Sequence, residues 1–171
     1  MNGHEDLNYI FSDLFLHEDL RYELKRLIKV VSERLDPTEN WHGHLLVIKG
    51  DRKIVEDTID KIKRYMREKG LTVLDVRGDI AETRKLIEDI IDADIKNDHD
   101  RFKDKVIIMG VDEINEIAKD YRKNISDFHD YISRLFTRAW LSGLLIIVEH
   151  DLTCWHGEWT AHVVLRIFDQ R

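Results

Sequence analysis

The sequence predicts a three-layer α/β/α domain with a mainly parallel central sheet of about five strands. Short, nearly continuous apolar runs end in glycine or acidic residues, which is typical of parallel strands buried on both faces. Amphipathic segments with apolar residues at three- and four-residue steps separate these runs and predict helices. The alternation of the two patterns favours strand–helix–strand crossovers and therefore a parallel sheet covered by helices on both sides.

Apolar runs predict the strands and periodicity predicts the helices, in chain order. The predicted strands are His44–Gly50, Leu71–Val76, Lys105–Val111, Leu144–Val148 and Val163–Phe168. The predicted helices are Ile54–Lys69, closed by Gly70, then Ile80–Ile95, a short helix near Ile114, and Ile125–Leu141. Residues 1–36 are predicted to form an N-terminal helical extension, ended by Asp36-Pro37, and residues 37–171 one compact α/β domain. Ligands of such sheets bind at the carboxyl ends of the strands.

Composition narrows the class of protein. The chain has 171 residues, a formal net charge of −7 and one cysteine, Cys154, so an intramolecular disulfide framework is excluded. No signal-peptide pattern and no membrane-length apolar run occur, which predicts a cytoplasmic protein without a membrane partner. The interspersed charges favour nucleic acid contact only indirectly or through a local patch. Abundant Glu, Lys, Arg and Ile with almost no Gln is a thermophile-like composition.

The order of elements from His44 to Phe168 resembles the core of P-loop ATPases of the RecA and KaiC type. The tail from Trp159 to Ile167 is also similar to a late strand of that family. The resemblance implies a phosphate loop after the first strand, an acidic pair after the third strand, and assembly into oligomers.

The predicted phosphate loop lacks the residues that hold a triphosphate. Aligning the motif GxxxxGK[ST] on Gly50 puts Val55 at the second glycine, Glu56 at the lysine and Asp57 at the hydroxyl position. Two carboxylates there repel a triphosphate and favour a helix N-terminus stabilised by acids. The candidate residues of this degenerate loop are Gly50, Arg52, Lys53, Glu56, Asp57 and Thr58.

A second interpretation of this loop has Arg52 and Lys53 replacing the lost cation. The backbone distinguishes the two interpretations. A cupped loop with converging amides would favour anion binding, whereas a tight strand-to-helix turn would exclude a phosphate loop.

Acidic residues after later strands are the catalytic candidates. Asp112 and Glu113 follow the third strand, where the resemblance implies magnesium and water activation, and Glu149 follows the fourth strand. The simpler interpretation makes Asp112 a helix N-cap. A third option is nucleotide contact through the turn 77–79.

A segment rich in His and Trp follows the fourth strand. Imidazole, thiolate and carboxylate are zinc ligands, although the Cys154-x-His156 step is tight and no second Cys pair accompanies it. The candidate ligands are His150, Cys154, His156 and His162. The alternative is an ordered loop in which Trp155 and Trp159 contact a partner, because interfaces concentrate aromatic anchors.

Two functions follow from these features. The first is a non-hydrolysing pseudo-ATPase that binds protein as an accessory or regulatory subunit, including in DNA transactions, with no cofactor and with a protein or a second copy as partner. The second is a metal-dependent hydrolase, with a divalent ion held by Asp112, Glu113, His150, Asp151 and His156.

Overall fold

The computed structural model describes residues 44–98, 100–121, 124–138, 143–150 and 163–167. The predicted N-terminal extension and the segment with Cys154, Trp155, His156, Trp159 and His162 lie outside these residues. The division into residues 1–36 and 37–171 therefore stays a prediction. None of the described helices is long and apolar enough to cross a membrane.

Five strands form one sheet, and every neighbouring pair is parallel. The strands are β1 His44–Gly50, β2 Thr72–Asp75, β3 Lys105–Gly110, β4 Leu144–His150 and β5 Val163–Ile167, in the spatial order β2-β3-β4-β1-β5. The helices are α1 Arg52–Glu68, α2 Ile80–Ile95, α3 Val111–Ala118 and α4 Ile125–Arg138, with a 3₁₀ turn at Lys119–Tyr121. The predicted α/β class and parallel sheet are confirmed.

Helices cover both faces of the sheet. The side chains of Leu46 and Ile48 pack with α1 on one face, and those of Leu45 and Val47 pack with α2, α3 and α4 on the other. This division follows from the alternation of side chains along a strand. It also follows from right-handed crossovers, because the chain moves from β1 out to β2 and then back towards β1 through β3 and β4.

Strand register brings four strand ends to one edge. Gly50 of β1 lies beside His150 of β4, and Gly110 of β3 lies beside Val148. Asp75, the last residue of β2, pairs with Ile108. The residues that follow β1, β2, β3 and β4 therefore meet at the carboxyl edge, where the parallel layout predicts a ligand site.

Element boundaries differ from the predictions in ways that change the site. Helix α1 begins at Arg52 and not at Ile54, and α3 begins at Val111 and not near Ile114. Strand β4 continues to His150, two residues beyond Val148. Pairing with β1 keeps Glu149 and His150 in the strand. The sequence did not predict this, because the side chains change from apolar to polar after Val148.

Candidate functional site at the carboxyl edge

A cleft of about 450 Å³ opens at the carboxyl edge of the sheet. That volume lies within the range of small-ligand sites. Five carboxylates and two arginines line it, so its charge is predominantly negative. The lining consists of Arg52, Glu56, Asp75, Arg77, Gly78, Gly110, Val111, Asp112, Glu113, Val148, Glu149 and His150.

The turn from β1 to α1 is a single residue long. Gly50 ends the strand at φ +148°, a conformation that favours glycine, and Asp51 is the N-cap of a helix that begins at Arg52. The predicted degenerate phosphate loop therefore does not exist as a loop. Its residues from Arg52 to Thr58 form the first two turns of α1 instead, because the helix extends back beyond its first apolar residue, Ile54, through Lys53 and Arg52.

Inside α1, the aligned motif positions take helical roles. Val55 is fully buried against the sheet, Asp57 and Lys53 are exposed, and the Thr58 hydroxyl donates to the Ile54 carbonyl at 2.7 Å. The hydroxyl that lies one residue after the metal-binding position of the motif is thus bonded within the helix. A turn of one residue leaves no room here for the glycine-rich loop whose backbone amides surround a phosphate in the motif GxxxxGK[ST].

Arg77 organises the α1 side of the cleft. Its Nε and Nη2 donate to the two oxygens of Asp75, both at 2.9 Å, and its Nη1 donates to Glu56 Oε1 at 2.8 Å. Lys63 Nζ donates to Asp75 Oδ2 at 2.8 Å. The bidentate geometry matches the planar guanidinium to a planar carboxylate, which makes this the best-oriented ion pair of the site.

His150 joins the same network from β4. Its Nε2 lies 2.9 Å from Glu56 Oε1, the oxygen that also accepts from Arg77. Leu144, Ile146 and Val148 pack on the α1 side of the sheet, so alternation carries His150 to that side as well. Glu56, predicted at the lysine position of a phosphate loop, therefore lies between a guanidinium and an imidazole.

The electrostatic state of this network follows from its pairs. Burial alone would raise the pKa of Asp75, but its bonds to Arg77 and Lys63 outweigh burial and lower the pKa to about 2. Burial opposes the charge of Arg77, but Asp75 and Glu56 together raise its pKa further above the ordinary value. Both groups are ionised at neutral pH.

The β3 side of the cleft is held differently. Glu113 accepts a hydrogen bond from the backbone amide of Gly78, which ties the turn after β2 to the start of α3. Gly78 adopts φ +81°, and a Cβ on Gly110 would approach Glu113 Oε1 to 2.7 Å, so two glycines accommodate this contact. Glu113 acts as a structural acceptor here, while Asp112 is exposed in the first turn of α3.

Asp112 is not the helix N-cap that the simpler interpretation predicted. Gly110 occupies that position, since α3 begins at Val111. Glu149, the third catalytic candidate, is 1% exposed and lies 4.0 Å from Lys49 Nζ. Strand alternation sends both side chains away from α1, so Glu149 is separate from the Arg77 network.

The structure brings together part of the predicted metal site. Asp112, Glu113 and His150 all line the cleft. Within the described ranges, no three His, Cys, Asp or Glu side chains are placed to hold a metal ion. Asp151 and the remaining candidates of the His/Trp segment lie outside those ranges, so a metal role for them stays a prediction.

Sequence reasoning missed the residues that organise the site. Asp75 lies within the predicted strand Leu71–Val76 and Lys63 within the predicted helix Ile54–Lys69, and neither is among the predicted site residues. Arg77 was considered only as a nucleotide contact, and its partners prove to be intramolecular. The alternation Val73, Leu74, Asp75 was the available signal, because a carboxylate on the helix-covered face requires a cation opposite it.

Several solved structures resemble this chain, and two of them serve as examples. A structure of C. elegans PCH-2 aligns with 12% identity and a TM-score of 0.49, covering 95% of this chain and 46% of that one. A structure of Rhizobiales Trip13 aligns with 16% identity and a TM-score of 0.41, covering 96% of this chain and 60% of that one. This chain thus spans about half the length of both. No protein-family model matches it, and no curated protein does.

Proposed function

We propose that this chain is a non-hydrolysing domain with a P-loop-ATPase-like layout that binds protein as an accessory or regulatory subunit. The observation that carries the proposal is the single-residue turn between β1 and α1, followed by Glu56 in an ion pair with Arg77. The position where a triphosphate would be held therefore contains a helix and a carboxylate.

Charge supports the absence of nucleotide hydrolysis. The two arginines in the cleft lining are Arg52 and Arg77, and Arg77 is already bonded to two carboxylates. A triphosphate entering the cleft would meet an excess of negative charge at short range, in an environment less polar than water. A magnesium ion would not reverse this, because it normally depends on the phosphates for part of its coordination.

The acidic turn after β3 offers no substitute for a catalytic pair. Glu113 is bonded to the Gly78 amide, so orienting a water molecule would require it to leave that contact. Asp112 is exposed and lies in the first turn of α3, where a carboxylate is stabilised by the helix dipole. Both residues have structural explanations that need no reaction.

Because the charges of the cleft argue against nucleotide hydrolysis, protein binding is the function that we assign to it. The lining is polar and built from the ends of four strands, so its charged groups are presented on a rigid scaffold. The segment containing Trp155 and Trp159 follows His150 directly in the sequence. Protein interfaces concentrate aromatic side chains, so a sequence segment with two tryptophans supports a protein partner, with nucleic acid contact left to that partner.

Calorimetric titration of the full chain with Mg-ATP tests the first half of the proposal. We expect no binding heat, and no change in melting temperature, at millimolar ATP. A micromolar dissociation constant for ATP would overturn the proposal. Elemental analysis of the same preparation addresses the alternative, because stoichiometric Zn, Mn or Fe would favour the metal-dependent hydrolase.

Light scattering tests the second half. The full chain is compared with a variant carrying Trp155→Ala and Trp159→Ala. A mass above that of a monomer, reduced in the variant, would identify a second copy as the partner. A monomeric mass in both would assign the role to a different protein.

A further inference from the structure

We propose that Arg77 and His150 form a carboxylate-binding subsite, that Glu56 is its internal occupant, and that a carboxylate of a partner protein displaces Glu56. The inference deepens the proposed function by naming the chemistry that the partner presents. The inference rests on the proposed function only in one respect: the carboxylate is assigned to a protein partner because the chain is proposed to bind protein.

The cationic part of the subsite is rigid. Arg77 is 17% exposed and Asp75 is 13% exposed, and the two share a bidentate ion pair that Lys63 extends. The Arg77 backbone amide also donates to Asp75 Oδ1, at 3.2 Å. These bonds fix the plane of the guanidinium and aim Nη1 towards Glu56, so the fork keeps its direction whether or not Glu56 is present.

The occupant is the least fixed member of the network. Glu56 is 38% exposed, about twice the exposure of Arg77 or of His150, which is 20% exposed. It reaches both partners from the surface of α1 through its own rotatable side chain. Ion pairs with this exposure contribute little to stability, so rotating Glu56 towards solvent costs little free energy.

Both oxygens of Glu56 accept from Arg77 Nη1, at 2.8 and 3.0 Å, while one also faces His150. A carboxylate entering in its place would find the same donors at the same distances. The position of the Glu56 carboxylate therefore defines the geometry in which the subsite binds a carboxylate ligand.

The surroundings select a singly charged ligand. After Glu56 turns away, four carboxylates still line the cleft: Asp75, Asp112, Glu113 and Glu149. A phosphate with nearly two negative charges would be repelled more strongly than a carboxylate with one. The matching ligand is therefore an acidic side chain or a C-terminal carboxylate of a protein.

Acetate titration of the ¹⁵N-labelled full chain tests the subsite by NMR, with sodium chloride at equal ionic strength as the reference. The signals followed are the Arg77 side-chain Nε–H and the Gly78 amide. We expect Glu56→Ala to bind acetate roughly five-fold more tightly than the wild type, which corresponds to about 1 kcal/mol for removal of a partly exposed competitor.

Asp57→Ala is the matched control, because it removes one carboxylate from the adjacent, exposed position of α1 without emptying the subsite. We expect a change of less than roughly two-fold, as befits a screened surface charge. Arg77→Lys in the Glu56→Ala background should abolish the gain, since lysine keeps the charge but lacks the fork. Circular dichroism checks that each variant is folded.

Equal tightening by Glu56→Ala and Asp57→Ala would overturn the proposal, because it would reveal only general electrostatics. Tighter binding of inorganic phosphate than of acetate would also overturn it. N-acetylalanine and N-acetylglutamate α-methylamide then distinguish a C-terminal from a side-chain source. Mg-ATP added to the same samples keeps the two proposals separable: ATP binding would refute the proposed function, while absent acetate binding would refute the subsite alone.

Discussion

The turns from β1 to α1 and from β3 to α3 are built alike and charged oppositely. Each strand ends in glycine, Gly50 or Gly110, and each helix begins at most two residues later. Helix α3 carries Asp112 and Glu113 in its first turn, whereas α1 carries Arg52 and Lys53 there and no acidic residue. Glu56 and Asp57 come only in the second turn.

This difference in charge distinguishes residues that stabilise a helix from residues that belong to the candidate site. Acids at the start of α3 complement the positive end of the helix dipole, so stability alone explains them. Basic residues at the start of α1 oppose the dipole, so stability does not explain them. The prediction that Glu56 and Asp57 stabilise the start of α1 is therefore wrong, because the helix begins earlier. Glu56 instead pairs with Arg77, across the cleft.

The largest expected effect comes from breaking the α1 side of the cleft. Arg77→Gln should lower the free energy of unfolding by about 2 kcal/mol, because it leaves the half-buried Asp75 with Lys63 alone. Arg84→Gln is the matched control, since Arg84 pairs with Asp120 on the surface, and its cost should stay below about 0.5 kcal/mol. Urea unfolding measures both. Equal losses would show that the network adds nothing beyond a surface pair.

An effect of similar size is expected at acid pH. The pKa of Asp75 in the folded state, about 2, lies below the ordinary value of 3.8, so its contribution is present above about pH 4 and is lost as pH falls through 2. The contribution is about 2 kcal/mol. Asp75→Asn should therefore be less stable than the wild type at pH 5, and the gap should narrow towards pH 2. A gap that is constant with pH would contradict the ion-pair account.

The smallest effect tests the two helix starts directly. Lys53→Glu should stabilise the protein by about 0.5 kcal/mol and Asp112→Lys should destabilise it by a similar amount, because only the second change opposes the dipole. Both side chains are exposed. Thermal unfolding at low and high salt measures the pair, and the difference should shrink with salt. If both variants changed the melting temperature in the same direction, the helix dipole would be excluded as the cause.

Much of the fold was predictable because it depends on short-range patterns. Continuous apolar runs predicted the strands, and periodicity predicted the helices, to within a few residues. Two of the boundaries that failed, at Arg52 and His150, lie where polar residues continue an element, and the third lies at Val111, an apolar residue that begins α3 and does not end β3. Backbone pairing decides these positions, and the polarity of a side chain carries no information about it.

The candidate site was predictable in place but not in chemistry. The strand ends of a parallel sheet meet at one edge, and the cleft there is lined by Asp112, Glu113, Glu149 and His150, as the strand order predicts. The motif alignment on Gly50 placed Glu56 and Asp57 at the start of a helix, whereas the helix begins four residues earlier, at Arg52. The spacing of motif positions from Gly50 does not determine the residue at which α1 begins.

The amino-acid sequence by itself determined the α/β class, the identity of the buried strands and the predominance of acidic groups at the carboxyl edge, because hydrophobic periodicity and local charge are properties of neighbouring residues. Only the tertiary structure decided which charges meet. Glu56 lies in α1, Arg77 in the turn after β2 and His150 in β4, and they are up to 94 residues apart. Their contacts depend on helix start, strand register and side-chain direction. Those three are set by packing of the whole sheet, which is why the ionic network could not be predicted from the chain alone.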